Sequence, residues 1–348
     1  MNKEAILDTY SQAARETRED LCCGVDYREE FPPEDLEHIP DEVLERNYGC
    51  GIPSELKTLE PGKTVMDLGP GFGRDCFIAS LKVGPEGRVF GLDMNEDMLD
   101  QARHFQPQVA ERLGYDNVEF LKGQFDVKIP LEDNSIDVIL SNCVNNLATD
   151  KETAYREMFR VLRPGSKLSF ADIVSYQKLP LKLQQSERAW ADCVAGVLSY
   201  EQLSEMLNQA GFHGVTLTPL YLWSVGEQLL SNYFDPSQEG SNGNLSAEEA
   251  AEVKGVRLYS VAIESFKPVV NPKGECYWKG QYAMFHGPGV SMQLDDDPDH
   301  VFQVGTLKEV CEKTATLLKA DPFRSHFTVF EPQGEVEPRA CLPGDQCC

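Results

Sequence analysis

Long apolar runs are missing from this chain. No stretch approaches ~18 consecutive apolar residues, so no transmembrane helix is expected. The N-terminal segment MNKEAILDTYSQAARETRED has no apolar core of the kind a secretory leader needs. Basic residues are scarce: 32 Lys+Arg stand against 57 Asp+Glu, for a net charge of −25. That balance excludes nucleic acid as a partner, because its binding draws on Lys and Arg neutralising phosphates. It disfavours anionic membrane surfaces for the same reason. Histidine is rare too, and the six residues (His38, His104, His213, His286, His300, His326) fall without metal-ligand spacing. Their default role is a satisfied surface or core position. The Asp295-Asp296-Asp297 run reads as a solvated loop.

Cysteine is present in excess. Eleven occur in 348 residues, among them the vicinal pairs Cys22-Cys23 and Cys347-Cys348. With no secretory leader, the expected compartment is a reducing cytoplasm, where cysteines serve more often as ligands, nucleophiles or redox groups than as structural disulfides. No C-x₂₋₄-C spacing exists, so the sequence carries only a weak signal for zinc.

The length predicts two domains or more, and 41% hydrophobic with 26% charged residues are globular values. Residues 1–46 are acidic, with 14 Asp/Glu against 5 Lys/Arg. Helices are expected over Glu4–Leu21 and Asp41–Asn47. From Thr64 onward strands and helices alternate as in a parallel α/β sheet. Strands are read at Thr64–Leu68, Arg88–Leu92, Val118–Leu121, Ile136–Ser141 and Lys167–Asp172. Helices are read at Asn95–Leu113 and Lys151–Leu162, the latter ending at Arg163-Pro164-Gly165. Beyond Val174 two amphipathic helices are expected, Leu183–Ala195 and Tyr200–Ala210. Ser237–Asn244 reads as a loop. Leu258–Phe266 is read as a strand closing the main sheet as an edge, and Cys276–Phe285 as a further strand. The expected segments are an acidic N-terminal cap over 1–61, a cofactor-binding domain over 62–177, a substrate region with the closing strand over 178–267, and a small α+β C-terminal module over 268–348.

The strongest local signal is Asp67-Leu68-Gly69-Pro70-Gly71-Phe72-Gly73-Arg74, a strand, a glycine loop and a helix start. Gly69, Gly71 and Gly73 allow close backbone approach at the carboxyl end of the first strand, where doubly wound folds bind cofactors. The spacing G-x-G-x-G differs from the dinucleotide fingerprint. It resembles the first motif of the class I S-adenosylmethionine-dependent methyltransferases. Asp93-Met94 ends the second strand with an acid suited to ribose hydroxyls. Phe125-Asp126 follows the third strand, where an aromatic stacks on adenine and an acid takes its amine. Asn142 ends the fourth strand beside the methionine moiety.

Any single cysteine is by default a small buried hydrophobe, and Cys76 and Cys311 are read that way, within apolar helical patterns. Cys143 follows Asn142 directly. Cys50 lies between glycines in Tyr48-Gly49-Cys50-Gly51, and Cys193 in Trp190-Ala191-Asp192-Cys193. Together YGCG, DLGPGFGRDC, GLDM, SNCVNNL and WADCVAGVL resemble the arsenite S-adenosylmethionine methyltransferases, most clearly over about residues 45–235. The resemblance implies a doubly wound Rossmann-like methyltransferase sheet carrying an arsenic-binding helical/β insertion. It implies that Cys143 and Cys193 hold trivalent arsenic, with Cys50 a third thiol. One of Cys22 and Cys23 would be a redox-active cysteine of the N-terminal cap, and Cys341 with Cys347-Cys348 resembles a cysteine-rich tail. The cofactor set would be Asp67, Gly69, Gly71, Gly73, Arg74, Asp93, Met94, Phe125, Asp126 and Asn142. The implied substrate is arsenite or methylarsenite, with S-adenosylmethionine as methyl donor, and thioredoxin or glutathione restores oxidised thiols. Two competing readings keep fewer of these features. A methyltransferase of another small soft nucleophile, such as a thiol, thioether or selenium compound, retains only the cofactor loop; a metalloid-binding protein without activity retains only the cysteines.

Overall fold

The computed structural model describes residues 3–16, 25–46, 48–235, 245–270, 272, 276–295 and 297–341. Helix α1 (Lys3–Arg15) and the short helices α2 (Tyr27–Glu30) and α3 (Asp41–Glu45) precede the first strand. Then β1 (Thr64–Leu68), α4 (Arg74–Val83), β2 (Arg88–Asp93), α5 (Glu96–Leu113), β3 (Val118–Lys122), β4 (Ile136–Asn142), α6 (Lys151–Val161) and β5 (Leu162–Ser175) alternate. These strands are parallel, in the order β3-β2-β1-β4-β5. Both faces of such a sheet are covered by helices, so its strands are nearly continuous apolar runs. Val65, Met66 and Leu68 of β1 and Ile139 and Leu140 of β4 are fully buried accordingly. The order reverses between β1 and β4, which opens a crevice at the carboxyl ends of those strands.

Helices α7 (Leu181–Gln184), α8 (Glu187–Ala191) and α9 (Tyr200–Ala210) lead to β6 (His213–Val225), α10 (Gly226–Phe234), α11 (Ala247–Gly255) and β7 (Arg257–Phe266). Strand β7 runs antiparallel between β5 and β6, which completes a doubly wound, Rossmann-like sheet. It is therefore an interior strand and not the edge its sequence suggests; its burial on both faces fits that position. Past it lie β8 (Tyr277–Trp278), β9 (Tyr282–Phe285), β10 (Ser291–Gln293), β11 (Val301–Gln303), β12 (Leu307–Glu309), α12 (Glu312–Leu318), β13 (Phe327–Phe330) and β14 (Arg339–Ala340). Strands β10 and β11 extend the main sheet beyond β6, and β12-β9-β13 form a small sheet of their own. The C-terminal segment is fastened by aromatic packing, with Phe266 of β7 against Phe323 at 5.6 Å between ring centroids.

Other expectations need correcting. Leu183–Ala195 is not one helix: the Ser186 side chain accepts the Ala189 N–H and restarts the chain as α8. The left-handed Cys193 (φ 61°) then turns it away. Arg163-Pro164-Gly165 does not lie between elements but inside β5, where the Gly165 N–H reaches the Lys267 carbonyl at 2.7 Å. Cys276–Phe285 is broken at Gly280 (φ 89°), so its halves join different sheets. Cys311 caps α12 from outside, its sulfur accepting the Thr314 N–H. Asn47 and Ser237–Asn244 lie outside the described residues. No helix among the described residues is long and apolar enough to cross a membrane.

Candidate active site

The glycine loop after β1 holds Gly69, Gly71 and Gly73 at φ of 69°, 55° and 87°, the left-handed region where a side chain is strained. A Cβ on Gly71 would meet nothing within 4 Å, because that residue faces the open cavity. Around this cavity stand Asp67, Arg74, Asp93, Met94, Phe125, Asp126, Asn142 and Cys143. Asp67 is buried and accepts the Cys76 thiol at 3.5 Å. Burial, then the Asp75 carboxylate, pushes its pKa well above the usual range. The Cys76 thiol is likewise driven up by burial, so it behaves as packing.

The Arg74 guanidinium carbon stands over the Tyr27 ring, 3.6 Å from its centroid, and Nε donates to Asp75 at 3.2 Å. Its Nη1 is buried without a hydrogen-bond partner. A buried guanidinium donor left unsatisfied is costly, and in a cavity wall it selects an anionic ligand such as a free carboxylate. Asp93, at the end of β2, takes the N–H groups of Asn95, Gly71 and Met94, while burial lifts its pKa to about 6. Asp126 is not open to a ligand on all sides: Thr149 donates from N and Oγ1 at 2.9 and 2.8 Å, and Lys3 Nζ donates at 3.0 Å. Burial raises its pKa, but these bonds outweigh it and hold the carboxyl below the usual range. The donor lysine comes from α1, which covers the cavity with Lys3, Ile6, Leu7 and Tyr10. Asn95 fixes that cover by donating to the Leu7 carbonyl and the Ser11 hydroxyl, both at 3.1 Å.

The cysteines meet beyond β4, where Cys143 lines the cavity and Cys50 and Cys193 stand behind it. Asn142 does more than border it: its Nδ2 donates to the Gly51 carbonyl at 2.8 Å and its Oδ1 accepts the Cys50 N–H at 3.1 Å. The 48–51 loop is thereby fastened beside Cys143. The sulfurs of Cys50 and Cys143 and a carboxylate oxygen of Asp172 all lie within 4.8 Å of one another, and all three residues are buried. Cys193 is not part of that trio. Its thiol donates to the Cys143 carbonyl at 3.1 Å and sits 3.5 Å from the Tyr10 hydroxyl.

Cys143 (φ 62°) and Cys193 (φ 61°) both adopt the left-handed conformation, which costs a non-glycine residue on the order of 1–3 kcal/mol and concentrates at functional sites. Asn146 supports the cluster by donating to Asp172 Oδ1 at 2.7 Å. Gly196 lets the 193–197 turn come this close, since a Cβ there would stand 1.9 Å from the Asn146 carbonyl oxygen. Lys151 binds the carbonyls of Asn145, Asn146 and Ala148. Burial lowers its pKa to about 8, and Asp172, Cys193 and Asp126 pull it partly back. Cys22, Cys23, Cys347 and Cys348 lie outside the described residues, and Cys341 sits on the C-terminal β8–β14 pair, where its N–H bonds the Cys276 carbonyl.

Comparison with known proteins gives the family. Residues 59–211 match the family model described as a methyltransferase domain, and residues 272–346 match a domain of unknown function. An arsenite methyltransferase of Aquipseudomonas alcaligenes is 30% identical over 93% of this chain and 89% of its own length. The chain belongs to the arsenite methyltransferase family. The human member is 29% identical over 88% of this chain and 76% of its own length. The crystal structure of an arsenic(III) S-adenosylmethionine methyltransferase from Chlamydomonas reinhardtii superposes with a TM-score of 0.60 at 27% identity, over 87% of this chain and 96% of that one. The protein is thus an S-adenosylmethionine-dependent methyltransferase acting on a small molecule. Lys3, Tyr10, Tyr27, Asn146, Lys151 and Asp172 are the site residues that sequence reasoning passes over. Only Asp172, an acid inside the apolar run of β5, carries a signal of its own.

Proposed function

We propose that the chain moves a methyl group from S-adenosylmethionine onto trivalent arsenic held by Cys143 with Cys50 and Cys193. The observation that carries this reading is a pair of buried sulfurs, one of them on the cavity-lining Cys143, beside a covered glycine-loop cavity in a member of this family. When bound, S-adenosylmethionine supplies an electrophilic methyl on a sulfonium. Arg74 would take its carboxylate, Asp93 its ribose hydroxyls and Phe125 a face of its adenine. Trivalent arsenic is soft, so thiolates are its natural ligands. Each cysteine thiol displaces one arsenic-bound hydroxide as water, which leaves the arsenic lone pair free. Holding that lone pair in line with the methyl is worth roughly 7–11 kcal/mol of positioning, and α1 excludes water from the encounter. No base is needed at the arsenic. The methylated pentavalent product returns to the trivalent state when a free thiol attacks an arsenic-bound cysteine sulfur: an S–S bond forms, the As–S bond breaks, its electron pair stays on arsenic and the thiol proton is released. Cys50 with Cys22 or Cys23 suits that step, and thioredoxin or glutathione reopens the disulfide by exchange in a reducing cytoplasm.

The reading is tested by speciating the arsenic after incubating the protein with arsenite, a thiol reductant and S-adenosylmethionine. Methylated arsenicals are expected. Their absence, with methylation of a thiol or selenium compound instead, would overturn it.

Asp93 gives a pH dependence. Its ionised form accepts the two hydroxyls, and burial holds the free carboxyl near a pKa of about 6. Below that pH the carboxyl of the free protein is protonated, and binding has to expel the proton. Cofactor affinity should therefore be flat above about pH 7 and fall by up to about tenfold per pH unit below 6. Calorimetric titration from pH 5 to 8 reads this directly. Asp93→Asn should bind more weakly and lose the slope; an unsloped wild-type profile contradicts the role.

A further inference from the structure

We infer that Tyr27 is a positioning residue that carries the cofactor's arginine on its ring and the Cys50 loop on its hydroxyl. The inference deepens the reading above and rests on it: Arg74 takes the carboxylate of the methyl donor, and Cys50 is one of the arsenic-holding thiols. Tyr27 opens the short helix α2 of the N-terminal cap and is 2% exposed. It stands behind Arg74 and Asn142, both of which line the cavity. Its ring carries a cation on one face, with the guanidinium carbon of Arg74 3.6 Å from the centroid. Such a contact is strongest where water is excluded, and it limits how the guanidinium can turn. Arg74 Nε is engaged by Asp75, while Nη1 has no hydrogen-bond partner among the described residues. The ring thus holds the group that the carboxylate would meet.

The hydroxyl faces the other way, toward the acceptor side. It donates to Asp75 Oδ2 at 3.2 Å and accepts Asn142 Nδ2 at 3.1 Å. That direction is fixed at both ends. Burial pushes the phenol well above its ordinary range, so it keeps its proton, and a carboxylate can only accept one. With its hydrogen spent on Asp75, the hydroxyl can only accept from Asn142. The amide must therefore turn its nitrogen toward Tyr27. Its second Nδ2 hydrogen then reaches the Gly51 carbonyl at 2.8 Å, and Oδ1 is left for the Cys50 N–H at 3.1 Å. An amide turned over would set its oxygen against the Gly51 carbonyl, acceptor against acceptor. Gly49 makes the approach possible, since a Cβ there would stand 2.3 Å from Nδ2. One side chain thereby references the methyl-donor site and the Cys50 backbone to each other.

The test separates the ring from the hydroxyl. Tyr27→Phe keeps the ring under Arg74 and its stacking on Phe31, whose centroid is 5.4 Å away; circular dichroism checks that the variant is folded. It strands one buried Nδ2 hydrogen of Asn142, so kcat/KM for arsenite methylation should fall about tenfold. Calorimetric affinity for S-adenosylmethionine should stay within about twofold of wild type. Tyr27→Leu removes ring and hydroxyl together and should also lose about tenfold in cofactor affinity. A residue that only packs would move both constants together or neither. An arsenite kcat/KM unchanged in Tyr27→Phe, or a cofactor affinity that falls alongside it, would therefore overturn the inference, as would an undiminished cofactor affinity in Tyr27→Leu. A double-mutant cycle checks the route: with Asn142→Ala in place, Tyr27→Phe should cost arsenite less than about twofold more, and a further tenfold loss overturns it. Wild-type product in the same assay keeps the two levels apart. If wild type methylates arsenite and Tyr27→Phe does so equally well, only the role of Tyr27 falls. If wild type forms no methylated arsenic, the arsenic reading falls and takes this inference with it.

Discussion

Cys143→Ser should lower arsenite methylation by at least about 100-fold while leaving cofactor affinity within about twofold of wild type. The lower bound follows from metal sites, where removing groups that merely orient a ligand already costs 10–100-fold; here the ligand atom itself is exchanged. Serine is close to isosteric with cysteine, so the left-handed turn at residue 143 and the Cys193 bond to its carbonyl survive. A serine hydroxyl stays protonated and is a hard donor, a poor match for soft arsenic. Cys143 is also the one thiol that touches both halves of the cluster, through its sulfur toward Cys50 and Asp172 and through its carbonyl toward Cys193. Initial rates with arsenite, paired with calorimetric titration of S-adenosylmethionine, separate loss of chemistry from loss of fold. A serine variant that methylates arsenite at the wild-type rate would remove the basis of the proposed mechanism.

The parts of the molecule that are legible from sequence are those whose signal is local. A strand that ends in an acid and three spaced glycines announces a cofactor loop, because the loop's left-handed turns tolerate little else. Helix α5 is readable from Asn95, whose side chain caps it, to Gly114, which ends it in the left-handed conformation. Other features depend on residues far apart in the chain. Asp172 gains its meaning from Cys50, more than a hundred positions earlier, and nothing in Phe-Ala-Asp-Ile foretells that neighbour. Lys3 and Tyr10 sit on an amphipathic helix of ordinary composition, and only the tertiary position of α1 makes them a cover over the cavity. Local chemistry also misleads: Leu183–Ala195 has helical periodicity throughout, yet the cap at Ser186 and the turn at Cys193 divide it. Strand β7 has an edge strand's place at the end of the alternating pattern. The C-terminal strands β10 and β11 extend the sheet on the outer side of β6, so β7 stays interior.

Cys50→Ala should separate the two kinds of substrate, with arsenite turnover down about 30–100-fold and methylarsenite turnover down less than about threefold, the first figure being the upper part of what loss of a group that orients a ligand costs in metal sites. Methylarsenite has two exchangeable ligands, and Cys143 with Cys193 can satisfy both. Arsenite has three, and without Cys50 the face it shares with Cys143 and Asp172 is dismantled. The loop itself should stay in place. The backbone of residue 50 is held by Asn142 through its N–H, and its carbonyl is held by Tyr221 at 2.9 Å and Ser260 at 2.5 Å, none of which needs the sulfur. Rates measured on both substrates in single turnover, with a phosphine as reductant, remove any contribution of Cys50 to the later reduction of pentavalent product. Comparable losses on arsenite and methylarsenite would mean that Cys50 serves both equally, as a common ligand or as packing. A loss confined to arsenite would mean that Cys50 is the ligand that the unmethylated substrate alone requires.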